Sequence, residues 1–300
     1  MNQFVILSFL LLVGKLTTIG QVDVLRHQIG ELITNKKAIT GVAILALEDG
    51  DTLTWNGAGH FPMQSVYKFH LALAVLDKVQ NDSLRMNQGI FIKKSDLLPF
   101  TFSPLRDKYP KGEVNVPLKE IMKYTVSESD NNGCDILFRL LGGPQYVNTF
   151  IAGTGVPDIS IKATEEQMHM DGSVQFTNWC TPWSAVQLLK KFYFKEILKE
   201  PQFGFLWQQL TETGTGKGRI KGLLPEGTVV AHKTGSSGSD TEGIVAATND
   251  IGIICLPNGK HIAIAVFVSN SRENNETNEG LIASIALESW NYFLSRQHVK

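Results

Sequence analysis

The sequence predicts an α+β fold of two lobes, in which an antiparallel sheet drawn from both chain ends carries an inserted block of helices. Three observations predict it. Apolar and β-branched runs lie at residues 40–55 and again at 228–269. The stretch between them instead shows apolar residues at helical spacing, broken by Gly and Pro. The chain has 300 residues, 43% of them apolar and 19% charged, enough for one large domain or two joined lobes around a sizeable core.

Residues 4–13 (FVILSFLLLV) are almost wholly apolar and precede Thr17, Thr18, Ile19 and Gly20. That pattern predicts a signal peptide over 1–20 and export to the periplasm or the medium; a buried N-terminal helix is the alternative. No Cys follows the run to take a lipid. No later run reaches the roughly 20 apolar residues of a membrane-spanning helix, so no membrane anchor is expected. Residues 40–47, the turn Glu48-Asp49-Gly50-Asp51 and residues 52–55 read as a hairpin. Helices are expected over 66–79, 118–124, 132–141, 144–152 and 182–194. Strands are expected over 228–233, 243–256 and 261–269, punctuated by Asn249-Asp250 and Pro257-Asn258-Gly259. A last helix over 278–294 places Ile282, Ile285, Ala286, Ser289 and Phe293 on one face. The expected division assigns residues 21–60 and 212–300 to the sheet lobe and 61–211 to the helical one.

Lys plus Arg number 28 against 29 for Asp plus Glu, a formal charge of −1. No basic field favours nucleic acid or an anionic membrane. Cys134, Cys180 and Cys255 lie far apart without metal-ligand spacing, so no metal and no cofactor is expected. Buried free thiols are the expected state, with a disulfide between two of them as the alternative.

Chemistry enters with three short motifs. Ser65-Val66-Tyr67-Lys68 opens an apolar helical run. A serine at a helix's first turn gains from the positive dipole end, and a lysine three residues on shares its face and can take its proton. Ser129-Asp130-Asn131 precedes another apolar helix, and Lys233-Thr234-Gly235 ends the strand Val229-Val230-Ala231-His232. Each alone reads equally as a helix cap with a surface lysine, a cap cluster or a strand end. In this order they mark the serine β-lactamases and penicillin-binding proteins.

On these motifs the chain resembles class A serine β-lactamases along its whole mature length, most closely their PER-like extended-spectrum branch. Met63-Gln64-Ser65-Val66-Tyr67-Lys68-Phe69, Glu165-Glu166-Gln167-Met168-His169, Gly222-Leu223-Leu224-Pro225, His232 to Gly235 and Ala246 to Gly252 carry the closer match. The resemblance implies the β-lactamase/D,D-peptidase-like fold, with a cleft between the helical lobe, which bears an Ω-loop, and the sheet edge. It implies hydrolysis of penicillins and cephalosporins, with β-lactam substrates and inhibitors as the ligands of a monomer. Ser65 would be the nucleophile, activated with help from Lys68 or from Glu165 through water. Ser129 and Lys233 would pass a proton to the leaving nitrogen, and the backbone N–H groups of Ser65 and Ser236 would form the oxyanion hole. Asn131 would touch the acylamino side chain, Asp130 would tie its loop, and Thr234, Gly235 and Ser236 would line the carboxylate site.

Glu165, taken over its neighbour Glu166, would activate the deacylating water. His169 stands where most relatives have Asn and would help hold the loop and the water. Arg219 would steer the substrate carboxylate, since residues 245–248 supply no Arg. Phe102 is a candidate wall of the cleft mouth, with core packing as the alternative. Two rivals remain: a D,D-peptidase that deacylates slowly, which Glu165 opposes, and a non-catalytic sensor that stays acylated.

Overall fold

The structure, a computed structural model, describes residues 22–296, so the expected signal peptide lies outside the described residues. Helix α1 covers residues 22–34. There follow strands β1 (Ile39–Ala46), β2 (Thr52–Trp55) and β3 (Phe61–Pro62), a 3-10 turn at Gln64–Val66, and α2 (Tyr67–Gln80). Next come β4 (Gly89–Ile92), α3 (Pro104–Lys108), β5 (Val114–Pro117), α4 (Leu118–Ser127), α5 (Asn131–Leu141) and α6 (Pro144–Gly153). β6 (Ile159–Ser160), α7 (Glu165–Met170), a 3-10 stretch at Gly172–Thr177, β7 (Trp179–Cys180), α8 (Pro182–Tyr193) and α9 (Gln202–Thr211) complete the helical block. The chain closes with β8 (Val230–Ser236), β9 (Val245–Cys255), β10 (His261–Ser271) and α10 (Asn275–Ser295).

The main sheet is antiparallel in the order β2-β1-β10-β9-β8, joining the two chain ends as expected. Its alternation divides the apolar residues between two cores. Ile262, Ile264, Val266 and Val268 of β10 pack with α1 and α10, while Ala263, Ala265 and Phe267 pack with α2 and α8. Both faces are covered, which is why β10 reads as an unbroken apolar run rather than an alternating one.

Side-chain caps set several helix ends. Asp130 accepts from Gly133 N at the start of α5, which stops at Gly142 in the left-handed conformation (φ 88). Thr181 caps α8 just before Pro182, and Asn274 caps α10, three residues earlier than its apolar pattern suggests. Helices α1 and α9 go beyond the sequence expectation. In α9 only Leu206, Gln209 and Leu210 are buried, too few for a legible stripe. Asn249-Asp250 is a correction: both residues are buried inside β9 rather than punctuating it. Among the described residues no helix is long and apolar enough to cross a membrane.

Candidate active site

Ser65 lies in the 3-10 turn ahead of α2, not in the α-helix itself as the sequence suggested. The turn is anchored from the sheet. Asn249 Nδ2 donates to Pro62 O (2.7 Å) and Met63 O (3.2 Å). Gly235 of β8 packs directly against the turn, where an added Cβ would sit 2.3 Å from Met63 O. The glycine of Lys-Thr-Gly is thus required by close backbone approach.

Lys68, on the first turn of α2, is fully buried. Its Nζ donates to Ser129 O at 2.8 Å and to Asn131 Oδ1. Glu165 Oε1 lies 3.0 Å from the same ammonium, yet off the hydrogen-bonding direction, so this buried oxygen keeps an unused lone pair. A contact without the right angle is an ion pair only. Among the described residues the Ser65 hydroxyl is not a hydrogen-bond partner of Lys68, contrary to the expected direct contact.

Ser129 sits between α4 and α5 with φ 60, a left-handed conformation unusual for a non-glycine residue. Its hydroxyl accepts from Lys233 Nζ at 2.9 Å. Asp130 ties the loop as expected, accepting from Ser103 Oγ, Leu105 N and Gly133 N. Asn131 Nδ2 donates to Thr101 Oγ1 at 2.7 Å. Phe102 is 59% exposed, which excludes core packing; it adjoins Thr101, which lines the cleft, and contributes its carbonyl to Asn131 N.

Alternation along β8 sends Ala231 and Val230 into different cores, so Lys233 and Gly235 face the helical lobe and His232, Thr234 and Ser236 the other side. Burial pushes the Lys233 ammonium down to about 7, with the Lys68 charge adding to the shift and Asp250 and Glu165 opposing it. Thr234 Oγ1 shares a 2.6 Å hydrogen bond with Thr215 Oγ1. Arg219 is buried beneath them, not poised free in the cleft. It donates to Glu279 Oε1 (3.0 Å), Gly235 O (3.1 Å), Asn249 O (2.9 Å) and Ser236 Oγ (2.6 Å). Its reach toward a substrate therefore runs through Ser236.

The opposite wall begins at α7, capped by Thr164 with a reciprocal Gln167 contact. Of the two acids, Glu165 faces the cleft with its side chain 10% exposed, and Glu166 is turned outward to solvent. Two residues that the sequence did not single out hold this wall. Asp135 accepts from the N–H groups of both Glu165 and Glu166 at 2.8 Å. Burial raises its carboxyl to about 6. Asn178 accepts from Lys162 N (2.7 Å) and Ala163 N (2.9 Å) and donates to Ala163 O (2.9 Å). An acid inside the apolar helix 131–141 was the signal for Asp135; Asn178 had none. His169 lines the cleft but is exposed and makes no hydrogen bond among the described residues, so it does not tie the loop as expected.

Ser65, Asn131, Glu165, His169 and Ser236 line one cleft of about 770 Å³. Cys134 and Cys180 are buried free thiols, and Cys255 is a half-buried one. Among the described residues no group of three His, Cys, Asp or Glu side chains is placed to hold a metal ion.

The sequence pattern of the β-lactamase enzyme family matches residues 24–293. The chain belongs to that family. β-Lactamase VEB-1 of Pseudomonas aeruginosa is 47% identical over 279 residues, spanning 92% of this chain and 93% of its own. The extended-spectrum β-lactamase PER-1 of the same organism is 43% identical, over 93% and 90%. The crystal structure of the TLA-1 extended-spectrum β-lactamase superposes with a TM-score of 0.90 at 57% identity, covering 91% of this chain and 99% of that one. The α+β fold of a class A serine β-lactamase and β-lactam hydrolysis follow for this enzyme.

Proposed function

We propose that this β-lactamase opens penicillins and cephalosporins, extended-spectrum cephalosporins included, through an acyl-enzyme on Ser65 that Glu165 then clears. Ser65 gives its proton through water to Glu165 as its Oγ attacks the lactam carbonyl carbon and the C–N bond breaks. Lys68, 3.0 Å from Glu165 and bonded to Ser129 O, passes that proton on to the Ser129–Lys233 pair. The nitrogen takes its proton from Ser129, which Lys233 resupplies across their 2.9 Å contact. Ser65 N–H and Ser236 N–H stabilise the oxyanion, each such donor being worth roughly 3 kcal/mol in serine hydrolases. Glu165 then draws a proton from water, which attacks the ester, and returns that proton to the departing Ser65 Oγ. Lys68 and Asn131 hold the floor between the two acids and bases, and Ser236, backed by Arg219, receives the substrate carboxylate. The apolar N-terminal run of the sequence supports export.

The observation that carries the reading is Glu165 Oε1, buried in the cleft beside Lys68 with a lone pair that no protein donor uses. Glu165→Ala should acylate and stall, giving a stoichiometric adduct by intact-protein mass spectrometry. Glu166→Ala should turn over nearly normally. Stalling of Glu166→Ala with normal Glu165→Ala would move the role by one residue, and stalling of neither would remove it from α7.

A further inference from the structure

Directly behind the cleft two fully buried side chains pair with each other and with nothing charged besides. His232 Nδ1 lies 3.0 Å from both carboxylate oxygens of Asp250. Asp250 Oδ2 also accepts from Ile220 N at 3.2 Å, the peptide that follows Arg219. His232 Nε2 is buried without a partner. An imidazolium would leave a charged N–H there unsatisfied, whereas a neutral ring protonated on Nδ1 leaves only a lone pair. Asp250 therefore accepts from His232 Nδ1 and from the Ile220 N–H, on the strand next to that of Lys233. The two strands pair Thr234 with Asp250, so the carboxylate lies on the sheet face opposite the Lys233 side chain, against His232 and the 216–220 turn.

We propose that His232 and Asp250 form a positioning pair for the carboxylate wall: Asp250 holds the Arg219–Ile220 peptide so that Arg219 reaches Ser236, and supplies buried negative charge that offsets Lys233 and Arg219. The pair rests on the roles given above to Lys233 and Arg219. The charged groups facing Lys233 are Lys68 from α2, Glu165 from α7, Arg219 from the 216–220 turn and Asp250 from β9. Glu279 of α10 reaches Arg219 from behind. Two cations loosen the Lys233 proton and two carboxylates hold it, with burial already bringing the group to about 7. Glu165 is needed for hydrolysis, so Asp250 is the holding charge that can be removed without touching the reacting atoms.

Asp250→Asn keeps the size and an acceptor for Ile220 N but deletes the charge. We expect the alkaline limb of its kcat/KM profile to move down by about one pH unit. KM for benzylpenicillin should rise several-fold, while KM for its methyl ester, which lacks the carboxylate, stays put. His232→Asn keeps the charge and loosens the pair, so KM for the free acid should rise with the alkaline limb in place. That second variant tests the positioning half even where Asp250→Asn does not fold. A lowered melting temperature with unchanged pH profile and unchanged KM in both variants would make the pair purely structural. Lys233→Arg separates the two layers of the argument, because an arginine does not deprotonate in this range. If its alkaline limb stays where the unmodified enzyme has it, the limb does not belong to Lys233, and the reading of the cleft fails rather than the pair.

Discussion

The two walls of the cleft are held in different ways. On the wall built from β8, the 216–220 turn and the start of α2, Lys233, Arg219 and Lys68 are at most 6% exposed, and each hydrogen-bonds to backbone or side chains of another element. On the α7 side the residues around Glu165 are largely exposed, and the wall hangs from Asp135 and Asn178 through backbone N–H groups. The groups proposed for acylation are thus set in the core, and the group proposed for deacylation is set on a short helix pinned from beneath. A perturbation of either wall should leave its own kinetic mark.

The largest effect is expected at the nucleophile. Ser65→Ala should lose on the order of 10⁶ in kcat, as in a dissected serine protease, and show no covalent adduct by mass spectrometry. The fold should persist, since little packing volume is removed.

Asn178→Ala comes next. It strands the Lys162 and Ala163 amides, each costing about 1–3 kcal/mol when buried and unpaired. A shift of about 1 Å in the Glu165 carboxyl can cost ~10²-fold, so stopped-flow traces should show a normal acylation burst followed by slow turnover. If burst and turnover slow together, Asn178 supports both walls. Asp135→Asn still offers one acceptor to the two amides, and a smaller deacylation defect of about tenfold is expected.

Arg219→Ala should raise KM about tenfold for carboxylate-bearing substrates, near 1.4 kcal/mol, with a smaller change in kcat. It should also lower the melting temperature, because Glu279, Gly235 O and Asn249 O lose their common donor. Unchanged KM across several substrates would leave Arg219 a structural residue only.

A buried histidine on the core side gives a pH test. Neither ring nitrogen of His70 makes a hydrogen bond of good geometry, and burial pushes it down to about 4 against a weaker opposing contact with the Val66 carbonyl. Between that value and the usual 6.5 the unfolded chain binds the proton and the folded one does not. Stability therefore rises with pH through this window and is lost on acidification across it, by at most about 3 kcal/mol. His70→Leu should flatten the chemical-denaturation midpoint between pH 6.5 and 4. The smallest effect is expected at His169: exposed and unbonded, its replacement by Ala should change the deacylation rate less than about threefold.

How legible all this was depended on whether a residue's signal is local. Ser65, Ser129 and Lys233 announced themselves through spacing, because a helix turn or a strand end places neighbours in a repeatable way. Asp135 was half-visible as an acid in an apolar helix. Asn178 was invisible, since its partners at 162 and 163 lie 16 and 15 residues away along a loop. Phe102 stood open between cleft mouth and core because it follows the apolar run Leu97-Leu98-Pro99-Phe100, and only its exposure excludes the core.

Residue order alone dictated the antiparallel sheet from both ends, the inserted helices and the three motifs, since periodicity and capping act over a few residues. Tertiary packing decided which of two adjacent acids faces the cleft, and why the residue after Thr234 has no side chain. It also decided how Arg219 is spent and that Asn249 and Asp250 are anchors inside a strand. Those outcomes depend on contacts between segments tens to nearly two hundred residues apart, as from Asn249 to Pro62, and a local pattern holds no record of them.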